Sequence, residues 1–229
     1  MRLDRFISNH TNHGKTAVRH LLVQRRITVN GTIITDPLHP ITEFCHVSLD
    51  DTVLQSHTAH YYMLNKPRGY LSATSDLQHP TVMDLIDLPP DEKLHIGGRL
   101  DRGTTGLLLI TNDGNWSRRI TEPGLKKPKT YLVETEAPIT PQYQELFTQG
   151  IHLMPEDITT QPAQLEILAE RKARLTIYEG RYHQVKRMFY RFENKLVSLH
   201  RERMGDIHLD PNLELGQYRP LTPAEIALV

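Results

Sequence analysis

Only one cysteine, Cys45, occurs in 229 residues, so the chain can form neither an intramolecular disulfide nor a cysteine-based zinc site. Long apolar runs are missing too: Leu107-Leu108-Leu109-Ile110 falls far short of the roughly 20 residues that cross a bilayer. The opening residues Met1-Arg2-Leu3-Asp4-Arg5 carry no signal-peptide core, and cytoplasmic residence is the expectation. Net charge is absent, with 27 Lys+Arg against 27 Asp+Glu, which by itself speaks against a nucleic-acid surface. No phosphate-binding glycine fingerprint appears, because Gly97-Gly98 runs into Arg99-Leu100-Asp101. His57 and His60 are three apart but have no acidic partner placed to complete a site, so no metal is expected. A glycosidase needs two carboxylates, and Asp101 has no second acid near it; a serine triad also lacks support.

The charge that is present is unevenly spread. Residues 1–30 hold six Lys/Arg against Asp4, residues 116–130 five against Glu122, and residues 171–203 ten against three acids. Acids gather instead at 36–51 and 84–92. Any one basic patch reads as a solvated face; three of them favour a polyanion whose binding weakens with salt.

The segment Gly98-Arg99-Leu100-Asp101-Arg102-Gly103-Thr104-Thr105-Gly106 sets a lone carboxylate between two arginines. Glycines bracket it and an apolar strand follows, the pattern of a tight ligand-facing loop on a rigid support. From spacing alone, Asp101 is as well explained by a bond to its own turn. Two further groupings stand out. In Lys129-Thr130-Tyr131 an aromatic follows a lysine-rich loop, placed either to stack on a base or to fill a core edge. In Glu179-Gly180-Arg181-Tyr182-His183-Gln184-Val185-Lys186-Arg187-Met188 a glycine turn opens a basic helix suited to phosphate or to pairing with Asp101. His183 fits a general base or, as histidines more often do, a structural role.

Periodicity predicts helices over 3–10 and 15–26, a hairpin about Asn30-Gly31 in 27–34, and a β-like piece at 45–54. These form a first domain of residues 1–55, with a linker at 56–60 and a second domain at 61–229. In the second domain, strands are expected at 61–64, 107–111, 131–135, 165–168, 174–178 and 196–203. Helices are expected from 115, from Thr140-Pro141 to Gly150, over 183–193, and after the capping box Thr222-Pro223-Ala224-Glu225. Strict βαβ alternation is absent, so the expected class is α+β with a mixed, mostly antiparallel sheet.

Taken in order, several of these segments resemble motifs of the pseudouridine synthase family, in its small-ribosomal-subunit type. They are Asn65-Lys66-Pro67-x-Gly69, Gly98-Arg99-Leu100-Asp101 with Thr105-Gly106-Leu107-Leu108 and Thr111-Asn112-Asp113-Gly114, then Lys129-Thr130-Tyr131 and Gly180–Met188. Tyr182-His183-Gln184 and Leu199-His200-Arg201-Glu202-Arg203 favour small-subunit over large-subunit relatives. Residues 1–50 resemble an S4-type RNA-binding domain through Arg2-Leu3-Asp4-Arg5-Phe6 and Val29-Asn30-Gly31, although Gly14-Lys15 stands where Ser-Arg is usual.

The resemblance implies that Asp101 attacks either uracil C6 or ribose C1′, that Lys186 pairs with it, and that Tyr131 stacks on the base. It implies that Arg99 fills the gap left by the extruded uridine. It further implies substrate contacts by Asn65, Lys66, Arg181 and Arg187, and RNA contacts by Arg2, Arg5, Lys15, Arg19, Arg25 and Arg26. No cofactor is needed for an isomerisation. The implied partner is 16S rRNA or a small-subunit assembly intermediate, and a monomer is the default expectation. A 23S-directed enzyme and a non-catalytic assembly factor are the alternatives.

Overall fold

Leu3, Phe6 and Ile7 recur at helical spacing and are buried along α1 (Leu3–His10), as are Val18, Leu21 and Leu22 along α2 (Lys15–Val23). In this computed structural model, which describes residues 1–87, 93–122, 124 and 127–229, the two helices belong to a unit of Met1–Ala59. Its sheet has the order β2 (Thr32–Ile33), β1 (Ile27–Val29), β3 (Val47–Leu49), β4 (Thr52–Gln55), and its core includes Ile27, Val29, Ile41 and Val47. The β-like piece expected at 45–54 is thus two strands. Helix α2 stops three residues before its expected end. Arg25 turns into the left-handed region at φ 59°, and the amide of Arg26 then closes back onto the Leu21 carbonyl.

The second unit, His60–Val229, is built on a nine-stranded sheet among the described residues. Along the chain come β5 (Tyr61–Lys66), β6 (His95–Gly97), β7 (Thr105–Thr111), α3 (Gly114–Thr121), β8 (Lys129–Thr135), α4 (Pro141–Gln149), and the small hairpin β9 (His152–Leu153) and β10 (Ile158–Thr159). Then follow β11 (Gln164–Ala169), β12 (Lys172–Ile177), α5 (Gln184–Tyr190), β13 (Leu196–Met204), β14 (Ile207–His208), β15 (Tyr218–Pro220) and α6 (Pro223–Ile226). The main path is β11-β12-β8-β13-β7-β5-β15, with β14 on β13 and β6 on β7. Pairing is antiparallel except between β13 and β7, where His200 lies opposite Thr105 and Arg201 opposite Gly106. The mixed, mostly antiparallel sheet expected from the sequence is the one observed. Helix α5 is shorter than the expected 183–193.

Strand β7 is covered on both faces at the centre of this sheet. Leu108 and Ile110 enter one core with Leu64, Tyr131 and Val133, whereas Leu107 and Leu109 enter another with Met63, Trp116 and Met204. The period-2 alternation therefore buries both faces, and each leucine so covered contributes about 1.5–3 kcal/mol. Gly106 is required where β7 meets β13: at φ 104°, a Cβ would lie 2.3 Å from the Arg201 carbonyl oxygen. Among the described residues no helix is long and apolar enough to cross a membrane. Lys126 of the second basic patch and Asp91 and Glu92 of the acidic 84–92 segment lie outside the described residues.

Candidate active site

The turn between β6 and β7 presents Asp101, and almost every polar group of that turn is held from below. Ser72 Oγ donates to the Leu100 carbonyl at 2.8 Å and accepts the Leu100 amide at 3.0 Å. The Gly69 amide donates to the Arg102 carbonyl at 2.9 Å, and Arg102 Nε returns a bond to the Gly69 carbonyl at 3.0 Å. Lys66, fully buried at the end of β5, donates through Nζ to the carbonyls of Asp101 (3.1 Å), Thr104 (3.0 Å) and Pro67 (3.1 Å). From β13, Arg201 is 1% exposed and donates to the Leu107 carbonyl at 2.9 Å and the Gly98 carbonyl at 2.6 Å. Gly98 takes φ 82° there, and a Cβ would press to 2.6 Å from Met204 Cε.

Above this floor the Asp101 carboxylate meets the start of α5. Lys186 Nζ donates to Oδ2 at 2.7 Å, and His183 Nε2 lies 3.4 Å from Oδ1. His183 sits in the left-handed region (φ 49°), a conformation that its surroundings must impose. They do so through Gln184, which is buried, accepts the Arg181 amide at 3.0 Å and donates to Glu179 Oε1 at 3.0 Å. Tyr182 stacks on the His183 ring at 3.8 Å between centroids.

These groups line a cavity of about 450 Å³, the size of a small-ligand cleft, walled by Arg99, Asp101, Lys129, Tyr131, Ile177, Lys186, Leu199 and Met204 among others. Tyr131 is buried, projecting from β8. Burial pushes Lys66 down to about 8, since the cost of a desolvated ammonium exceeds the help from Asp101. Burial, reinforced by Arg201, also lowers Lys129. Among the described residues, no three His, Cys, Asp or Glu side chains are placed to hold a metal ion.

The expected site residues divide. Asp101, Lys186, Tyr131, Arg99 and Arg181 share the cavity wall. Three of the expected substrate contacts do not: Lys66 is enclosed beneath the turn, and Asn65 Nδ2 donates to the Leu213 carbonyl at 2.7 Å. Arg187 is committed to Glu156 and, at 2.6 Å, to the Met154 carbonyl. Their partners are distant backbone or side-chain groups that no local spacing reveals. In the first unit Arg2 pairs with Asp4 and Arg26 with Asp50, while Arg5, Lys15, Arg19 and Arg25 are exposed and have no carboxylate within ion-pair distance among the described residues. Ser72 lies in none of the sequence motifs, and Arg201, Gln184 and Thr104 stand within them without an expected role of their own. The Thr104 hydroxyl faces the cavity region buried and without a partner.

The RNA pseudouridylate synthase family model matches residues 60–191. The chain is 53% identical to ribosomal small subunit pseudouridine synthase A of Pseudomonas aeruginosa and 46% identical to the protein of the same name from Escherichia coli, each over the full length of both chains. A solved pseudouridylate synthase superposes over the whole of both chains with a TM-score of 0.72 at 43% identity.

Proposed function

This chain belongs to the RNA pseudouridylate synthase family, and on that premise we propose that it converts one specific uridine of small-subunit (16S) rRNA to pseudouridine, with Asp101 as the attacking carboxylate. The supporting observation is the 2.7 Å contact of Lys186 with Oδ2, on a carboxylate facing the Tyr131 cavity. Lys186 holds Oδ2 at 2.7 Å while His183 approaches Oδ1 only at 3.4 Å, so Oδ1 is the less tightly held oxygen that reaches the substrate. A pre-set cation beside the reacting anion needs no reorganisation as charge moves.

Two attacks suit this carboxylate, at ribose C1′ or at uracil C6. Both lead to cleavage of N1–C1′, rotation of the base, formation of C5–C1′, release of Asp101, loss of the C5 proton and gain of a proton at N1, so nothing is added or removed overall. Tyr131 stacks on the extruded ring. Extrusion costs a few kcal/mol, and Arg99, exposed and without a hydrogen-bonded partner among the described residues, is long enough to occupy the vacated stack. Arg181 meets phosphate at the cavity edge. Lys66 and Asn65 act from beneath, by holding backbone. Residues 1–59 serve as an S4-like RNA anchor through Arg5, Lys15, Arg19 and Arg25.

The test is to map pseudouridine in 16S and 23S rRNA from a strain lacking the gene, complemented with wild type or Asp101→Asn. One 16S position should disappear and return with wild type only. A missing 23S position instead, or restoration by Asp101→Asn, would overturn the assignment.

A further inference from the structure

Strand β8 sends Lys129 and Tyr131 to the same face, because alternate residues of a strand share a side. Thr130 points away and bonds Thr176 Oγ1 at 3.0 Å. Both Lys129 and Tyr131 line the Asp101 cavity. Yet Lys129 differs from the cations of the Gly180–Met188 segment, each of which has a carboxylate, and from Arg99, which is exposed. Lys186 has Asp101, Arg181 has Glu179 and Arg187 has Glu156. Lys129 is half-buried, has no carboxylate within ion-pair distance among the described residues, and makes one long bond of 3.5 Å to the Lys127 carbonyl.

We propose that Lys129 is a further catalytic group, whose ammonium holds an exocyclic oxygen of the uracil ring and receives the negative charge that the ring gains during the reaction. The inference rests on the pseudouridine-forming reading. When the N1–C1′ bond breaks, its electron pair stays with the base and spreads from N1 to O2 and O4. Attack at C6 instead drives the pair through C5 to O4. Either way the ring oxygens become anionic beside the tyrosine on which the ring stacks. A half-buried cation with no carboxylate in ion-pair contact stabilises such an anion more than it stabilises the neutral ring, which is the requirement for raising a rate. Burial and the nearby Arg201 disfavour the empty ammonium more than Glu179 favours it, and an arriving anion relieves that cost. A phosphate is the poorer fit: half-buried Lys129 stands opposite the apolar Ile177 and Met204 on the neighbouring strands, whereas Arg99 and Arg181 are the exposed cations.

The experiment is single-turnover conversion of substrate RNA by wild type, Lys129→Gln and Lys129→Arg, with RNA affinity and thermal melting measured alongside. Lys129→Gln should slow conversion about 100-fold, with affinity changed less than about threefold. Lys129→Arg, keeping the charge, should restore most of the rate. RNA carrying 5-fluorouridine at the target, whose ring accepts negative charge more readily, should lose its N-glycoside with a gap between wild type and Lys129→Gln of less than about tenfold. An unchanged rate, an equal gap on both RNAs, or a loss confined to affinity with a shallower salt dependence would overturn the proposal. Wild type that forms no pseudouridine at all would instead overturn the reading beneath it.

Discussion

Beneath the Asp101 turn, Lys66 and Arg201 are enclosed and give their donors to backbone carbonyls. In front of it, Lys186 and His183 keep 38% and 36% of their side chains exposed and meet the carboxylate itself. All four are basic residues within one small region, but they solve different problems. The lower pair fixes where the turn is, so that the carboxylate arrives pre-oriented. The upper pair fixes what the carboxylate does, and can do so only where a ligand also enters. The same division runs through the first unit, where Arg2 and Arg26 are tied to acids and Lys15, Arg19 and Arg25 are not. A count of positive charges cannot separate the two classes; their partners can.

The strongest test of this division is Asp101 itself. Asp101→Asn should reduce pseudouridine formation by roughly 10⁴-fold or more while RNA affinity stays within about threefold, because the floor beneath it is intact. A filter-binding loss matching the activity loss would mean that the acid anchors RNA rather than reacts. Next in size is Lys186→Ala, expected to slow single turnover about 100-fold with little effect on affinity. The reverse split would move Lys186 into the class of phosphate clamps.

Particular elements show what could be read in advance. The turn at Asn30-Gly31 was legible because both residues adopt positive φ, 50° and 76°, and few residue pairs do so readily. The Asp101 loop was legible through Gly98 and Gly106, which mark places where backbone or side chains pass too close for a Cβ. Lys186 was legible through its motif. The supporting roles of Lys66 and Arg201 were not, since they bind carbonyls 35 and 94 residues away, and a carbonyl leaves no side-chain signature. The left-handed turns at Arg25 and His183 were equally hidden, because neither uses glycine. Strands such as β6, β9, β10 and β14 are two or three residues long, too short for alternation to register.

The floor should respond in stability rather than in chemistry. Lys66→Met leaves the carbonyls of Asp101, Thr104 and Pro67 without their donor, and a cost of about 2 kcal/mol at pH 7 follows from about 1–3 kcal/mol per orphaned group less the relief of a buried charge. The pH dependence has a definite sign. Lys66 titrates near 8 in the fold against 10.5 ordinarily, so between these values the unfolded chain holds a proton that the native protein does not. Stability from Lys66 therefore grows as pH rises from 8 to 10.5 and is lost as pH falls through 8. The difference in unfolding free energy between wild type and Lys66→Met, measured in urea, should widen across that window. A difference that narrows would show the ammonium, not the amine, to be the favoured form under the turn.

The smallest expected effect carries the comparison into the first unit. Lys15 and Arg19 lie one helical turn apart on exposed positions of α2, and Arg25 follows just beyond its end. If these free cations meet phosphates, each alanine substitution should weaken RNA binding a few-fold at about 0.1 M salt. Each should also reduce the slope of log affinity against log salt by about 0.7–0.9. Arg26→Ala should leave that slope unchanged, because its guanidinium bonds Asp50 at 2.9 Å through Nε and is already neutralised. Equal slopes for Arg19→Ala and Arg26→Ala would erase the distinction between tied and untied cations in this unit. A larger change for Arg26 would mean that RNA displaces Asp50, so that the observed pair is a resting contact rather than a structural one.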